Sequence, residues 1–208
     1  MPIIRIIKPN DNTIVGIWKI TETLDNLSKS VSLSSTSKEL LKNRKSRVHK
    51  LQFLSVRAIL LELGYSVDSL SYQGNTPILN DNKKISISHS NLFSCVIISD
   101  LKVGIDVQKT DHKINTIAKK FIGYETSYLT HDDFKRKSII WNIKESIYKI
   151  ANIIGLDYKT HLLVVPFNLS DNFTYSWLIY KNLKERYASY FFTIENYSFA
   201  YLIHADDE

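Results

Sequence analysis

The chain opens with two short apolar runs and then turns polar. "PIIRII" and "TIVGIWKI" are rich in β-branched residues and predict strands, whereas "SKSVSLSSTSKE" is dominated by serine. From Lys38 to Leu63 apolar residues recur at helical spacing, after a candidate N-cap at Ser37 and ahead of Gly64. The pattern therefore predicts one long helix over this range.

The middle of the chain predicts strands again. "YQGNTPIL" has the Gly, Asn and Pro of a turn, and "KKISISHSNLFSCVIISD" has the pattern of a hairpin. A third strand, "KVGIDVQ", has Val103, Ile105 and Val107 on one face, because side chains alternate along a strand. We therefore expect Gly104, Asp106 and Gln108 to share the other face.

The rest of the chain repeats this plan. A second long helix is predicted from Lys137 to Ile154, and four segments that predict strands follow it, ending with "YSFAYLIHA". "ISISHSNLFSCVIIS" and "FFTIENYSFAYLIH" share a strand, a polar interruption and a second strand. We predict the α+β class: a pseudo-twofold pair of similar α/β halves, each with a long helix on a small, mainly antiparallel sheet. These halves, 1–102 and 103–208, would form one compact unit; a chance likeness of two hairpins is the alternative.

Composition narrows the class of protein. The 208 residues are 44% hydrophobic and 23% charged, as in folded globular proteins. A single cysteine, Cys95, excludes an intrachain disulfide and favours a reducing, cytoplasmic compartment. No stretch approaches the roughly 18 apolar residues that span a bilayer, so we expect no signal peptide and no membrane segment. The net charge of +6 favours anionic partners, which leaves nucleic acid, anionic lipid, a phosphate-rich cofactor and an acidic protein open.

The second long helix carries the stretch "WNIKESIYK", from Trp141 to Lys149. At about 100° per residue, the isoleucines form one arc and the charged residues another. Glu145 and Lys149 stand at i,i+4, where a solvent-facing ion pair is the simplest interpretation. Trp141 on the same arc instead indicates the wall of a cleft or a contact surface. Both interpretations stay open on these residues alone.

Three further residues have candidate chemistry. Asp106 lies on an apolar strand and needs a partner, either a backbone amide, a lysine or a hard cation such as Mg²⁺. With Glu145 it would form a pair of oxygen ligands for Mg²⁺. His89, between Ser88 and Ser90, is either a structural residue of a turn or a ligand for phosphate. Arg57, among apolar residues, wants an anion, either an internal carboxylate or a ligand; Cys95 is expected in the core.

Three motifs, in their order along the chain, resemble those of a known protein family. "SHS", "VGID" and the helix pattern W-x-x-K-E-x-x-x-K resemble the 4'-phosphopantetheinyl transferase superfamily, in its larger, surfactin-synthetase-activating (Sfp) type. The likeness covers about residues 47–166. The matching residues are Ser88, His89, Ser90, Val103, Gly104, Ile105, Asp106, Trp141, Lys144, Glu145 and Lys149.

The resemblance implies transfer of phosphopantetheine from coenzyme A to a serine of an apo acyl or peptidyl carrier protein, with release of 3',5'-ADP. It implies Mg²⁺ held by Asp106 and Glu145 with Gln108 beside them, and Glu145 as acceptor of the serine proton. Lys149 would neutralise the leaving phosphate. The residues expected at the coenzyme A phosphates are Ser88, His89, Lys144, Arg47, His49 and Lys50.

Two departures from the family pattern bear on this expectation. The family commonly has a carboxylate two residues after the strand aspartate, and Gln108 stands there, which predicts weaker Mg²⁺ binding or a water in that position. Asn75 and Thr76 stand between Gly74 and Pro77, where the family has a single lysine. One contact with coenzyme A is therefore in doubt.

The positive charge would attract an acidic carrier protein, and two fused halves favour a monomer. Two other functions compete with the transferase. A basic nucleic-acid-binding module would explain the lysines but would leave Asp106 and Glu145 without a role. A relative that binds coenzyme A with impaired transfer would follow from the loss of the strand glutamate.

Overall fold

The computed structural model describes residues 3–205 of the chain, which divides into two compact units, Met1–Leu101 (unit 1) and Lys102–Glu208 (unit 2). Both units combine helices with antiparallel sheets, so the α+β class is confirmed. The division falls one residue before the boundary expected from the sequence.

Unit 1 is built on a four-stranded antiparallel sheet in the order β1-β2-β6-β5, with a separate hairpin formed by β3 and β4. Its strands are β1 (Ile3–Asn10), β2 (Thr13–Lys19), β3 (Leu70–Gln73), β4 (Thr76–Leu79), β5 (Lys84–Ser90) and β6 (Phe93–Ser99), and its helices are α1 (Leu24–Ser30), α2 (Ser35–Lys42) and α3 (Arg47–Glu62).

Helix α3 packs on this sheet through its apolar side chains. Leu54, Ile59 and Leu60 are fully buried and share a core with Val96 and Ile98 of β6. Burying such side chains contributes roughly 1.5–3 kcal/mol each, which fixes the helix on the sheet. Cys95 is also buried, as expected.

The single helix predicted over residues 38–63 is wrong. Helix α2 ends at Lys42 and α3 begins at Arg47, because Asn43 caps the first helix and Ser46 precedes the second in an extended conformation. Helix α1 was not predicted, although Thr23 accepts a hydrogen bond from the Asn26 amide as an N-cap does. The predicted turn in "YQGNTPIL" joins β3 to β4, with Gly74 at φ 61.

Unit 2 has a five-stranded antiparallel sheet in the order β7-β11-β10-β9-β8. Its strands are β7 (Val103–Lys109), β8 (Leu162–Val164), β9 (Phe173–Tyr180), β10 (Leu183–Ile194) and β11 (Tyr197–Ala205); its helices are α4 (Ile114–Ile117) and α5 (Phe134–Ala151), with 3-10 turns at Ala118–Lys120 and Tyr124–Ser127 between them.

Helix α5 lies on β7 and β11. Asp133 caps its first turn by accepting from the Arg136 amide, and Asn152 ends it in the left-handed conformation at φ 48. The helix therefore begins and ends three residues earlier than predicted. Ile140, Ile143 and Ile147 are fully buried and hold it on the sheet, as the apolar arc indicated. No helix within residues 3–205 is long and apolar enough to cross a membrane.

Candidate active site

A glycine lets α5 approach β7 very closely. A Cβ placed on Gly104 would lie 2.4 Å from the carbonyl oxygen of Ser146 and 3.0 Å from Ile150 Cγ1. Because side chains alternate along a strand, Asp106 and Gln108 share this face of β7. The absence of a side chain at Gly104 therefore brings the last turns of α5 to Asp106.

Asp106 and Lys149 form the centre of this contact. The Lys149 ammonium donates to Asp106 Oδ1 at 2.8 Å and to the carbonyl oxygen of Ile105 at 2.8 Å. Asp106 is 3% exposed, whereas the Lys149 side chain keeps 29% of its surface open. Lys149 is thus the partner that the buried Asp106 required. Its ion pair joins helix α5 to strand β7, in place of the i,i+4 pair with Glu145 that the sequence indicated.

Glu145 is the second carboxylate of the cluster. Burial raises the pKa of Glu145, the negative charge of Asp106 raises it further, and Lys149 and a hydrogen bond from Tyr158 act in the opposite direction. Two carboxylates and one ammonium therefore share a partly buried site with one negative charge in excess. Such a site favours an additional cation.

Tyr158 orients Glu145 and was missed in the sequence. Its ring stacks on Trp141, with centroids 5.6 Å apart, and on Tyr148, at 5.3 Å. Its hydroxyl donates to Glu145, and burial together with the Glu145 charge raises the pKa of the phenol. Trp141 thus packs against Tyr158 and Phe121, which explains a tryptophan on the charged arc. No local sequence pattern predicts that Tyr158 contacts Glu145, because Tyr158 lies in the irregular segment after α5.

Lys144 has a different position from the one expected. Its ammonium lies 2.8 Å from Glu125 Oε1, and it donates to the carbonyl oxygens of Phe121 and Tyr158 at 2.7 and 2.9 Å. Both side chains of the ion pair are 0% exposed. All three ammonium protons have acceptors inside the protein, so Lys144 has no donor left for a pyrophosphate. It instead holds the segment that carries Tyr158.

Unit 1 contains a separate cavity of about 250 Å³ with a basic lining. Five of its residues lie on one face of α3, at positions 49, 52, 53, 56 and 57, which have helical spacing. The other four are Arg44, Tyr72 and two residues of β5. The full lining is Arg44, His49, Gln52, Phe53, Val56, Arg57, Tyr72, Ile87 and His89.

Arg57 is the most deeply buried residue of the cavity lining. Its side chain is 1% exposed, and its guanidinium carbon lies 3.4 Å from the ring centroid of Phe53, with that of Arg44 at 4.1 Å from the same ring. Only Nη1 has an acceptor, the Phe53 carbonyl oxygen at 3.4 Å; Nε and Nη2 have none within residues 3–205. Burial lowers the pKa of Arg57 to about 10. A buried guanidinium with two unused donors favours a bound oxyanion.

The structure brings together only part of the predicted coenzyme A residues. His49 and His89 line the same cavity. Ser88 is 7% exposed and points away from it, because Ile87 and His89 occupy the cavity face of β5. Arg47 and Lys50 belong to the first turn of α3 and do not line it. The sequence already indicated an anion for Arg57, and the helical spacing of α3 could have added Gln52 and Phe53 to the same face.

Each unit thus has one candidate site, a carboxylate cluster in unit 2 and a basic cavity in unit 1. Within residues 3–205 no three His, Cys, Asp or Glu side chains form a metal-binding group, so the cluster has two carboxylates only. No protein-family model and no curated protein matches the chain.

Proposed function

We propose that the protein transfers 4'-phosphopantetheine from coenzyme A to a serine of an apo acyl or peptidyl carrier protein. The observation that carries the proposal is the cluster of Asp106, Glu145 and Lys149 at the contact of β7 with α5. These residues are the ones that match the family motifs, and the excess negative charge of the two carboxylates suits the metal ion that phosphoryl transfer requires. The expected cytoplasmic location belongs to the same proposal.

The donor set fits Mg²⁺. This ion takes oxygen ligands, keeps several waters, and is commonly held by one or two carboxylates together with substrate phosphates. Asp106 and Glu145 supply two carboxylates, and burial together with the negative charge of Asp106 raises the pKa of Glu145. Gln108, on the same face of β7, offers a neutral amide oxygen in place of a third carboxylate. When bound, the ion would neutralise the charge that develops on the pyrophosphate.

The chain's own residues perform the proton and charge steps of the proposed reaction. The serine oxygen attacks the phosphorus that bears pantetheine, and the bond to the bridging oxygen breaks, so that the electron pair leaves with 3',5'-ADP. Glu145, oriented by the Tyr158 hydroxyl, takes the serine proton. Lys149, with part of its surface open, places an ammonium beside the leaving group. Asp106 fixes that ammonium through its carboxylate.

The cavity of unit 1 suits the 3'-phosphate of coenzyme A. Arg44 and Arg57 supply guanidinium groups, which match phosphate geometry, and His49 and His89 supply ring nitrogens. The buried donors of Arg57 are the strongest reason for an anion there. In this proposal the phosphate site is the cavity lined by α3 residues from His49 to Arg57, in place of Arg47 and Lys50.

The predicted pseudo-twofold relation belongs to the same proposal. Its support is the shared plan of the units, since each has its longest helix on an antiparallel sheet. A monomer is proposed on the same ground, with an acidic carrier protein as the partner that a net charge of +6 attracts.

A coenzyme A-binding protein with impaired transfer is the second candidate, and Gln108 favours it. The amide removes one negative charge from the metal site, which weakens cation binding. Gln108→Glu distinguishes the two functions. An active transferase should need less Mg²⁺ after the substitution, whereas an impaired relative should gain transfer that it otherwise lacks.

The test is incubation with coenzyme A, Mg²⁺ and a panel of apo carrier proteins, followed by mass spectrometry of the carrier. The expected result is a carrier heavier by one phosphopantetheine. Glu145→Gln and Asp106→Asn should abolish this gain with folding intact, and Glu62→Gln, an exposed carboxylate of α3, is the matched control. Full activity of the Glu145 or Asp106 variant would overturn the assigned roles.

A further inference from the structure

We propose that unit 2 also has an anion-binding site, built around the buried ammonium of Lys137, for a carboxylate or phosphate group carried on an apolar chain. The site is a cavity of about 400 Å³ lined by Lys119, Lys137, Lys159, His131, Ile122 and Leu129 among others. Neither Asp106 nor Glu145 lines it. The inference is independent of the proposed transfer reaction.

Lys137 is a buried charge with neutral neighbours. It is 7% exposed, and its ammonium donates to Asn115 Oδ1 at 2.9 Å and to the carbonyl oxygen of His131 at 2.6 Å. An ammonium has three donors, so one remains. Within residues 3–205 no carboxylate forms an ion pair with it. Buried charges are normally paired, so a counterion is missing from this position.

The other buried lysine of α5 shows how the fold supplies a counterion when the charge is structural. Lys144 stands two turns further along the helix and has Glu125 at 2.8 Å, with both side chains inaccessible. Lys137 opens instead into a cavity that also contains Lys119 and Lys159. The same helix thus has one closed ion pair and one buried lysine that lines a space large enough for a ligand.

The carboxylates near Lys137 and Lys159 in the sequence have other partners. Asp132 pairs with His131 at 3.1 Å, with both side chains 94% exposed, and Asp133 pairs with Arg136. Asp157 accepts from the amides of Lys159 and Thr160 at 2.9 and 2.8 Å. None of them lines the cavity. Three lysines therefore share this space with no acidic side chain in its lining.

The remaining lining defines the body of the ligand. Ala118, Ile122 and Leu129 give an apolar wall beside the lysines, and Ile122 is itself 7% exposed. A small inorganic anion would neutralise the lysines but leave these apolar side chains in contact with water, whereas an alkyl chain would bury them. An oxyanion with an apolar chain therefore fits better than inorganic phosphate or acetate.

The test is titration of the full chain with octanoate and octyl phosphate, followed by NMR of the amides and methyl groups and by calorimetry. At least one of the two should bind at least tenfold tighter than acetate or inorganic phosphate, with shifts at Ile122 and Leu129. Equal affinity for the short and long anions, or shifts confined to other regions, would overturn the proposal. Coenzyme A and carrier are absent, so failure of the transferase proposal does not affect this measurement.

Matched variants separate the site from general charge. Lys119→Met with Lys159→Met removes two exposed lysines of the lining and should weaken binding of the alkyl anion at least tenfold. Lys120→Met with Lys135→Met removes the same charge from two exposed lysines outside the lining and should leave the affinity unchanged. Equal weakening in both pairs contradicts a defined site. Lys137→Met should abolish the shifts at Ile122 and Leu129; if that variant does not fold, the two pairs still decide.

Discussion

The α-carbon of Gly104 lies so close to the backbone of Ser146 that a Cβ would stand 2.4 Å from the Ser146 carbonyl oxygen. The obstacle is backbone and not the end of a flexible side chain, so α5 itself would have to move. This glycine therefore sets the distance between Asp106 on β7 and the charged residues of α5.

Gly104→Ala should consequently destabilise the protein and misplace Lys149. Overpacking of this kind costs roughly 1–3 kcal/mol. Urea unfolding measures the loss, and transfer activity should fall further than the lost stability explains, because the Asp106–Lys149 contact of 2.8 Å depends on the helix position. Unchanged stability and activity would show that α5 tolerates the displacement.

Tyr158→Phe isolates the orientation of Glu145. The ring keeps its stacking on Trp141 and Tyr148 and loses only the hydroxyl that donates to Glu145. A hydrogen bond to a charged group contributes roughly 1.5–3 kcal/mol, so the transfer rate should fall about 10- to 100-fold. The pH profile should shift upward, because the lost donor lowered the pKa of Glu145. Tyr148→Phe, which removes the neighbouring hydroxyl, is the control and should change neither.

Glu125→Gln should be strongly destabilising. It leaves the fully buried ammonium of Lys144 without its anion, and breaking a buried pair costs roughly 3–5 kcal/mol. Adding Lys144→Met should recover part of the loss in urea unfolding, because no uncompensated charge remains. Asp100→Asn breaks the exposed pair with Lys83 at 3.7 Å and should cost less than about 1 kcal/mol. A similar cost for both pairs would contradict a structural role for Lys144.

Stability should depend on pH through Glu145. Burial and the Asp106 charge raise its folded pKa above the ordinary value of 4.5, so between these two values the folded state binds more protons than the unfolded state. The free energy of unfolding therefore falls as pH rises through this interval. Glu145→Gln should remove that dependence and stabilise the metal-free protein at neutral pH. Added Mg²⁺ should stabilise the natural protein and have no such effect on the variant.

Local patterns predicted much of this architecture, and tertiary contacts account for the parts that were missed. The strands and α5 followed from apolar periodicity, which depends only on neighbours along the chain. The break between α2 and α3 was missed because lysine and arginine at residues 44–47 are compatible with a helix. Asp106 and Glu145 could be selected as carboxylates on a strand and a helix. The burial of Lys144 could not be predicted, since its partner Glu125 lies in the 3-10 turn Tyr124–Ser127, distant from Lys144 along the chain.

Arg57 distinguishes the observed cavity from the basic cluster that the sequence favoured. Burial lowers the pKa of Arg57 to about 10, because the surroundings of the guanidinium disfavour its charged form. Arg57→Met should therefore leave the free energy of unfolding unchanged or raise it, while affinity for coenzyme A falls about 10- to 100-fold, as expected for loss of a charge-assisted contact of roughly 1.5–3 kcal/mol.

Calorimetry with coenzyme A and with dephospho-coenzyme A locates the effect. If Arg57 holds the 3'-phosphate, the variant should bind the two ligands equally, and the natural protein should prefer coenzyme A. Arg47→Met removes the same charge from an exposed position outside the cavity, so it should keep that preference. The opposite result would be loss of the preference for coenzyme A in the Arg47 variant, with the Arg57 variant unaffected. It would show that the 3'-phosphate binds at the exposed start of α3, because only that region would then discriminate the two ligands.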